Sequence, residues 1–317
     1  MEIRRATGMT CLITGASGFI GSWLAEALTA SGVPVVAQMR GAPSALFTRL
    51  VAERDITIHS DADIAAAIGK HQPTTVFHLA GMSQIAQANQ NPVLAYEANA
   101  RAAWTMLDAL RRMPEPARCV IASTDSLYGE TGGKAAVEGD PVHATGPYET
   151  SKHMAELAAR SFAAIYGMPV TIARLGNVYG PGDANGARII PSVLAALSAG
   201  SVPQLRGGGR AVRSLLHVQD CISGLRMLAD AADRPDVRGE AFNLSGTPAF
   251  TTAEIARFAL DAFGQPDAQP TITDDAPGET SVKFSDSSKL QERLGWMPEW
   301  TLEAGLRDIR ETWESFR

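Results

Sequence analysis

One short segment near the N-terminus limits the fold more than any other feature. Thr14-Gly15-Ala16-Ser17-Gly18-Phe19-Ile20-Gly21 follows the apolar run Cys11–Gly15 and opens an amphipathic stretch over Gly21–Ser31. A strand that turns at once into a helix needs a residue without a side chain at the bend, and Gly15 supplies it. Gly18 lets the backbone approach a pyrophosphate, and Gly21 lets the new helix lie close to the strand. Phe19 and Ile20 then open a helix whose free N–H groups and dipole favour phosphate. A glycine triplet alone is weak evidence; at a first strand-to-helix turn it is strong.

The pattern continues as strands alternating with helices. Pro34–Met39, Ile56–His59, Thr74–Ala80, Arg118–Ser123 and Pro169–Leu175 read as strands, while Ala62–Lys70, Pro92–Arg112 and Ser151–Tyr166 read as helices. Such spacing implies an α/β fold with a doubly wound parallel sheet, the Rossmann arrangement. Beyond Leu175 the chain becomes richer in Gly and Pro, with helices expected over Ile189–Ala199, Val218–Asp230, Thr252–Phe263 and Leu302–Trp313. Residues 1–175 are therefore expected to form the dinucleotide-binding domain. Residues 176–317 are expected to form mainly a smaller C-terminal α/β substrate-binding portion, with some segments returning to the sheet.

Composition excludes several partners. Among 317 residues the net charge is −6, without a basic block to track a nucleic-acid backbone. No apolar run reaches the ~18 residues that span a bilayer, and Met1–Thr10 carries no apolar signal region. A cytoplasmic enzyme is the expectation. Cys11, Cys119 and Cys221 are too few and too scattered for a disulfide framework or a zinc site, and no metal is expected.

Tyr148 and Lys152 stand four apart, on one face of a helix. An ammonium one turn from a phenol stabilises phenolate, which makes Tyr148 a base for a sugar hydroxyl while hydride leaves for a nicotinamide. Ser123 and Thr124 end a strand, so their hydroxyls fall at the sheet's carboxyl edge, where Thr124 can bond the same oxygen. The second strand ends at Met39-Arg40 without the acidic residue that binds an adenosine ribose. Arg40 suits a 2′-phosphate instead, so among NAD(P) cofactors NADP is slightly favoured over NAD. Asp61 either sits near the adenine or, with Asp63, begins a helix. His78 reads as a core histidine, and His143 and His153 as surface residues. Trp296, Trp300 and Trp313 read as packing groups.

These segments together resemble the extended short-chain dehydrogenases, the NAD(P)-dependent nucleotide-sugar epimerase/dehydratase family. The resemblance runs through TGASGFIG, FHLAG at Phe77–Gly81, the helix with Asn99, STDSLYG, PYETSK, GNVYGPGD at Gly176–Asp183, VRSLLHVQD at Val212–Asp220, GEAFNLSG at Gly239–Gly246 and ERLGWMPEWTLEAGL at Glu292–Leu306. GNVYGPGDANGARIIP and RGEAFN are most similar to CDP-glucose 4,6-dehydratases. The resemblance implies a homodimer through Pro92–Arg112 and Ser151–Tyr166. It implies Thr124, Tyr148 and Lys152 as catalytic, with Asp125 as the acid for a departing C6 hydroxyl. It implies cofactor contacts from Leu79, Ala80, Gly81, Asn99, Ser123 and Leu175, and substrate contacts from Asn177, Arg188 and Arg213. Ser83 is a further candidate contact with the sugar. Two departures stand out: Ser126 replaces the Glu or Lys that dehydratases carry, and Ala276 replaces an arginine common among relatives. The primary expectation is a nucleotide-sugar 4,6-dehydratase. The alternatives are a 4-epimerase or 4-keto-sugar reductase on the same scaffold and, more remotely, a non-catalytic nucleotide-binding regulator.

Overall fold

Short apolar runs separated by amphipathic helices build a seven-stranded sheet in this computed structural model, which describes residues 9–246, 248–274 and 281–316. Along the chain come β1 (Cys11–Thr14), α1 (Phe19–Ala30), β2 (Val35–Gln38), α2 (Ala45–Leu50), β3 (Ile56–His59), α3 (Ile64–His71), β4 (Thr75–His78) and α4 (Ile85–Gln90). Then follow α5 (Pro92–Ala95), a π-helical turn (Tyr96–Arg101), α6 (Ala102–Arg111), β5 (Arg118–Thr124), α7 (Pro147–Tyr166), β6 (Val170–Leu175) and β7 (Asn177–Tyr179). The remainder comprises α8 (Ile189–Ser198), β8 (Gln204–Leu205), β9 (Val212–His217), α9 (Val218–Ala231), β10 (Ala241–Leu244), β11 (Ala249–Thr251), α10 (Thr252–Ala262), β12 (Thr271–Ile272), β13 (Val282–Lys283), α11 (Ser288–Leu294) and α12 (Leu302–Phe316).

The large sheet runs β10-β6-β5-β4-β1-β2-β3. β1 pairs in parallel with both β2 and β4, and the parallel pairing continues from β2 to β3 and from β4 to β5. Strands buried on both faces explain the unbroken burial of β1, β2, β4 and β6. Leu12, Val76, Cys119, Ile121 and Ile172 of the sheet pack with Ile68 of α3, Met106 and Leu110 of α6 and Ala159 of α7.

The chain divides into two compact units. The first comprises residues 1–127, 143–174 and 222–242; the second comprises residues 128–142, 175–221 and 243–317. The second unit has its own core, in which Ile190 and Val193 of α8, Ile255 and Leu260 of α10, and Leu306 and Ile309 of α12 meet. It also has its own sheet, β11-β9-β13, with β7 paired in parallel to β9.

Three local details differ from the expected elements. The helix expected over Ala62–Lys70 begins later, because Asp63 caps it by accepting from Ala65 N and Ala66 N. The helix expected over Pro92–Arg112 is interrupted by the π turn that holds Asn99. The helix expected from Ser151 starts at Pro147, at the first-turn position where its missing N–H costs nothing. Tyr148 and Lys152 are therefore both helical.

Candidate active site

The glycine loop takes the form its spacing predicts. Gly15 has φ +69°, and a Cβ there would lie 2.8 Å from the backbone of Ala80. A Cβ on Gly21 would come within 2.3 Å of the Gly15 carbonyl oxygen. β1, α1 and the Leu79–Gly81 segment after β4 thus approach one another too closely for side chains. No side chain caps α1 at Gly18, and its first turn holds no acidic residue. The head of α1 therefore offers backbone N–H groups and a favourable dipole without competition, which fits a pyrophosphate.

Around this loop, Phe19 and Ile20 are partly buried at the start of α1, and Arg40 is exposed just past β2. Asp61 is exposed; its carboxylate accepts from Asp63 N, and its carbonyl accepts from Gln38 Nε2 at 2.7 Å. His78 Nδ1 lies 2.9 Å from Thr14 Oγ1, which also accepts from Ala80 N, so this histidine helps fix β1 beside β4. Burial, and then the charge of Lys152, push its pKa down to about 3. It is a neutral structural group.

Thr124, Asp125, Tyr148 and Lys152, the residues expected to react, lie in the first unit. Tyr148 is 8% exposed, packed with Met82, Ala88 and Ala95. Lys152 Nζ donates to Ala122 O at 2.9 Å. Burial lowers its pKa to about 8, against an upward pull from Glu156. Thr124 closes β5; its hydroxyl donates to Ser126 Oγ at 3.1 Å and accepts from Ser126 N. Asp125, 2% exposed, begins a 3₁₀ turn directly after it.

Two predicted cofactor residues have other partners. Asn99 Oδ1 accepts from Met82 N, while its Nδ2 donates to Met82 O and Ser151 Oγ. Ser151 Oγ in turn donates to Tyr148 O. The widened π turn delivers this side chain between the Gly81–Met82 segment and α7. The Ser123 hydroxyl donates to Glu156 Oε1 at 2.6 Å. Ser83 is exposed, and Leu175 is buried at the end of β6.

In the second unit, Asn177, Arg188 and Arg213 line one groove of about 690 Å³. Arg188 Nη1 donates to Val178 O and to Asp183 Oδ2, the latter at 3.0 Å. Burial raises the Asp183 pKa while Arg188 pulls it down. Arg213 Nη1 donates to Val212 O, and Asn177 Nδ2 reaches Ser214 O. Gln204, Arg206 and Thr273 line the same groove without having been singled out. No motif marks them, because β8 and β12 are two-residue strands paired across 67 positions, Gln204 to Thr271. Ala276 lies outside the described residues.

The remaining groups are structural. The three cysteines are buried and unpaired, and burial raises each thiol's pKa. Trp300 stacks on His217 at 4.0 Å, and Trp313 meets Phe263 edge-on. Among the described residues no helix is long and apolar enough to cross a membrane.

Comparison with known proteins bears directly on this geometry. A profile of the NAD-dependent epimerase/dehydratase family matches residues 11–245. A dTDP-glucose 4,6-dehydratase of Mycolicibacterium smegmatis is 31% identical, over 95% of this chain and 92% of its own. A dTDP-4-dehydro-6-deoxy-D-allose reductase of Streptomyces bikiniensis is 28% identical, over 97% of both chains. Among solved structures, the dTDP-glucose 4,6-dehydratase of Streptomyces venezuelae, with NAD bound, superposes with a TM-score of 0.85 at 25% identity, covering 96% of this chain and 97% of its own.

Proposed function

We infer that this chain, which belongs to the NAD-dependent epimerase/dehydratase family, removes water from a nucleoside-diphosphate hexose as a 4,6-dehydratase. The observation that carries this reading is Asp125. It is a carboxyl group 2% exposed, directly after Thr124 at the carboxyl end of β5, in the same unit as Tyr148 and Lys152. Epimerisation and ketone reduction at C4 need a phenol, an ammonium and a hydroxyl. Loss of the C6 hydroxyl needs, in addition, an acid to protonate it.

In this reading the first unit takes the cofactor, and the arginines of the second hold the substrate diphosphate. The Tyr148 phenolate accepts the C4 hydroxyl proton, the Lys152 ammonium stabilises that phenolate, and Thr124 orients the oxygen. When bound, the nicotinamide supplies a two-electron acceptor for C4 oxidation and returns the same electrons at C6. The C4 ketone acidifies the C5 proton, which passes to solvent as Asp125 donates its proton to the departing C6 hydroxyl, and a solvent proton returns to C5 when the electrons return at C6. Arg188 and Arg213 present guanidinium forks suited to diphosphate oxygens.

Three finer assignments belong to the same proposal. Exposed Arg40 past β2, with no carboxylate at that point, favours NADP; the ratio of NADP⁺ to NAD⁺ affinity in Arg40→Ala tests it. Apolar side chains exposed on α5 and α7 (Val93, Leu94, Met154, Leu157 and Ile165) support a helix-mediated homodimer, which sedimentation would measure. Three buried, unpaired thiols support a cytoplasmic setting.

The deciding experiment incubates the protein with CDP-, GDP-, UDP- and dTDP-hexoses, without reductant, and follows product mass. Loss of one water from one of them, abolished in Asp125→Asn, supports the dehydratase. Unchanged masses overturn it. Ser126, a poor base where dehydratases carry Glu or Lys, favours a second reading as a 4-keto-sugar reductase. That reading predicts consumption of NADPH by 4-keto sugars.

A further inference from the structure

Beneath the reacting face of α7 lies a buried ionic cluster that the proposed chemistry leaves without a role. Glu156 is 1% exposed and follows Lys152 by one helical turn. Arg174 of β6, 2% exposed, grips it at both oxygens: Nε to Oε1 at 3.0 Å and Nη2 to Oε2 at 2.8 Å. Ser123 adds its hydroxyl to Oε1 at 2.6 Å. Arg160, largely at the surface, approaches Oε2 at 4.0 Å.

Such a cluster is costly to bury. Desolvating a carboxylate and a guanidinium costs several kcal/mol each, and a pair of apolar residues often serves stability as well or better. A fork-to-fork geometry with a third donor offsets much of that cost, but it does not explain why charge sits here. Its position does. Glu156 links three elements of the reacting set: α7, which carries Tyr148 and Lys152; the end of β5, where Ser123 precedes Thr124; and β6.

We propose that Glu156 is a positioning residue for the reacting set. Clamped by Arg174, it fixes the end of β5 through Ser123 and holds a negative charge one turn beyond Lys152, so that Lys152 remains an ammonium beside Tyr148.

The electrostatics agree with the geometry. Burial disfavours the Lys152 ammonium, and Glu156 is the charge that opposes this. Other groups around this region include His78 on β4, which burial keeps neutral, the buried carboxyl of Asp125 just past β5, Arg174 on β6, and Arg160 on α7 itself. Arg174 and Arg160 are cations and cannot support another cation. Without Glu156, the state with charged Lys152 and ionised Tyr148 loses ground to the neutral pair, because the missing negative charge lies nearer the lysine.

The proposal rests on the reading of Tyr148 and Lys152 as the base and its partner, so the test separates the two. Tyr148 phenolate is recorded by ultraviolet difference titration of each protein against its own Tyr148→Phe version, without substrate. If the otherwise native protein shows no phenolate signal lost in Tyr148→Phe below about pH 9, the catalytic reading itself fails. If the signal is present, Glu156→Gln should move its midpoint upward by about half a pH unit or more and lower the plateau of kcat, because less of the enzyme pairs charged Lys152 with ionised Tyr148. Because Glu156→Gln strands Arg174, Glu156→Gln/Arg174→Met is made alongside, and the same upward shift is expected. A folded variant that titrates like the native protein overturns the proposal. Ser123→Ala leaves the ion pair intact. It should leave the phenolate midpoint in place and lower kcat about tenfold at unchanged KM, as expected for a misplaced group. Unchanged kcat removes the strand-fixing role.

Discussion

The two units each hold an arginine paired with a carboxylate, and the pairs differ. In the first unit Arg174 and Glu156 are both sealed, with side chains 3% and 1% exposed. In the second, Asp183 is buried at 4%, but its partner Arg188 stays 32% exposed along the groove. A sealed pair fixes geometry; a pair with an open guanidinium still has donors to offer an incoming anion. The units divide accordingly. The first holds groups whose effect depends on exact mutual placement, and the second presents positive charge at a concave surface. Substitutions in the first should therefore act on turnover or folding, and those in the second on substrate affinity.

The largest test of that division is Tyr148→Phe. It removes the one group proposed to take the C4 proton, and kcat should fall by roughly 10³- to 10⁴-fold, near the upper range for acid–base groups. Binding of the nucleotide portion, measured calorimetrically, should change less than about threefold, since the proposed diphosphate contacts are Arg188 and Arg213. A parallel loss of affinity would break the division.

Next comes the sealed pair. Glu156→Leu leaves the Arg174 guanidinium buried without its carboxylate, and chemical denaturation should show a loss of about 3–5 kcal/mol. Asp183→Asn keeps a hydrogen-bond acceptor for a partly exposed Arg188 and should cost about 1 kcal/mol. Equal losses would mean that the two pairs are alike after all. Smaller in effect, Arg213→Ala and Arg188→Ala should each raise KM about 10- to 50-fold with kcat within about threefold, the loss expected for one charge-assisted contact.

The same contrast explains what was readable in the sequence. The glycine loop, Thr124-Asp125 and Tyr148–Lys152 each lie within one element or its end, so a few contiguous letters specify them. Glu156 was equally local, four residues after Lys152, but its significance comes from Arg174 on β6 and Ser123 on β5, which no spacing along the chain displays. Asn99 was visible as a family position. That it clasps Met82 and Ser151 depends on a π turn, which side-chain periodicity does not announce. In the second unit the legible part thins further. Gln204 lies in a two-residue strand, and Arg206 and Thr273 directly follow two-residue strands, which are too short to carry any alternation.

A last prediction turns on one buried histidine in each unit. His78 is held down to about 3 by burial and by Lys152, and His217 to about 4 by burial. Both fall below the unfolded value near 6.5, so the unfolded chain takes up these protons first. Their contribution to stability is complete above about pH 6.5 and is lost as pH falls, toward 3 for His78 and toward 4 for His217. At pH 5 each should cost on the order of 1–2 kcal/mol relative to pH 7.5. The two should not weigh equally. His217 Nε2 stands 3.3 Å from Asp308 Oδ2, and burial alone holds its pKa down. The charge that bears on His78 is the ammonium of Lys152, which repels it. His78→Gln should therefore flatten the acid side of the stability profile more than His217→Gln. The reverse order would show that the surroundings of His78 admit charge more readily than this arrangement implies.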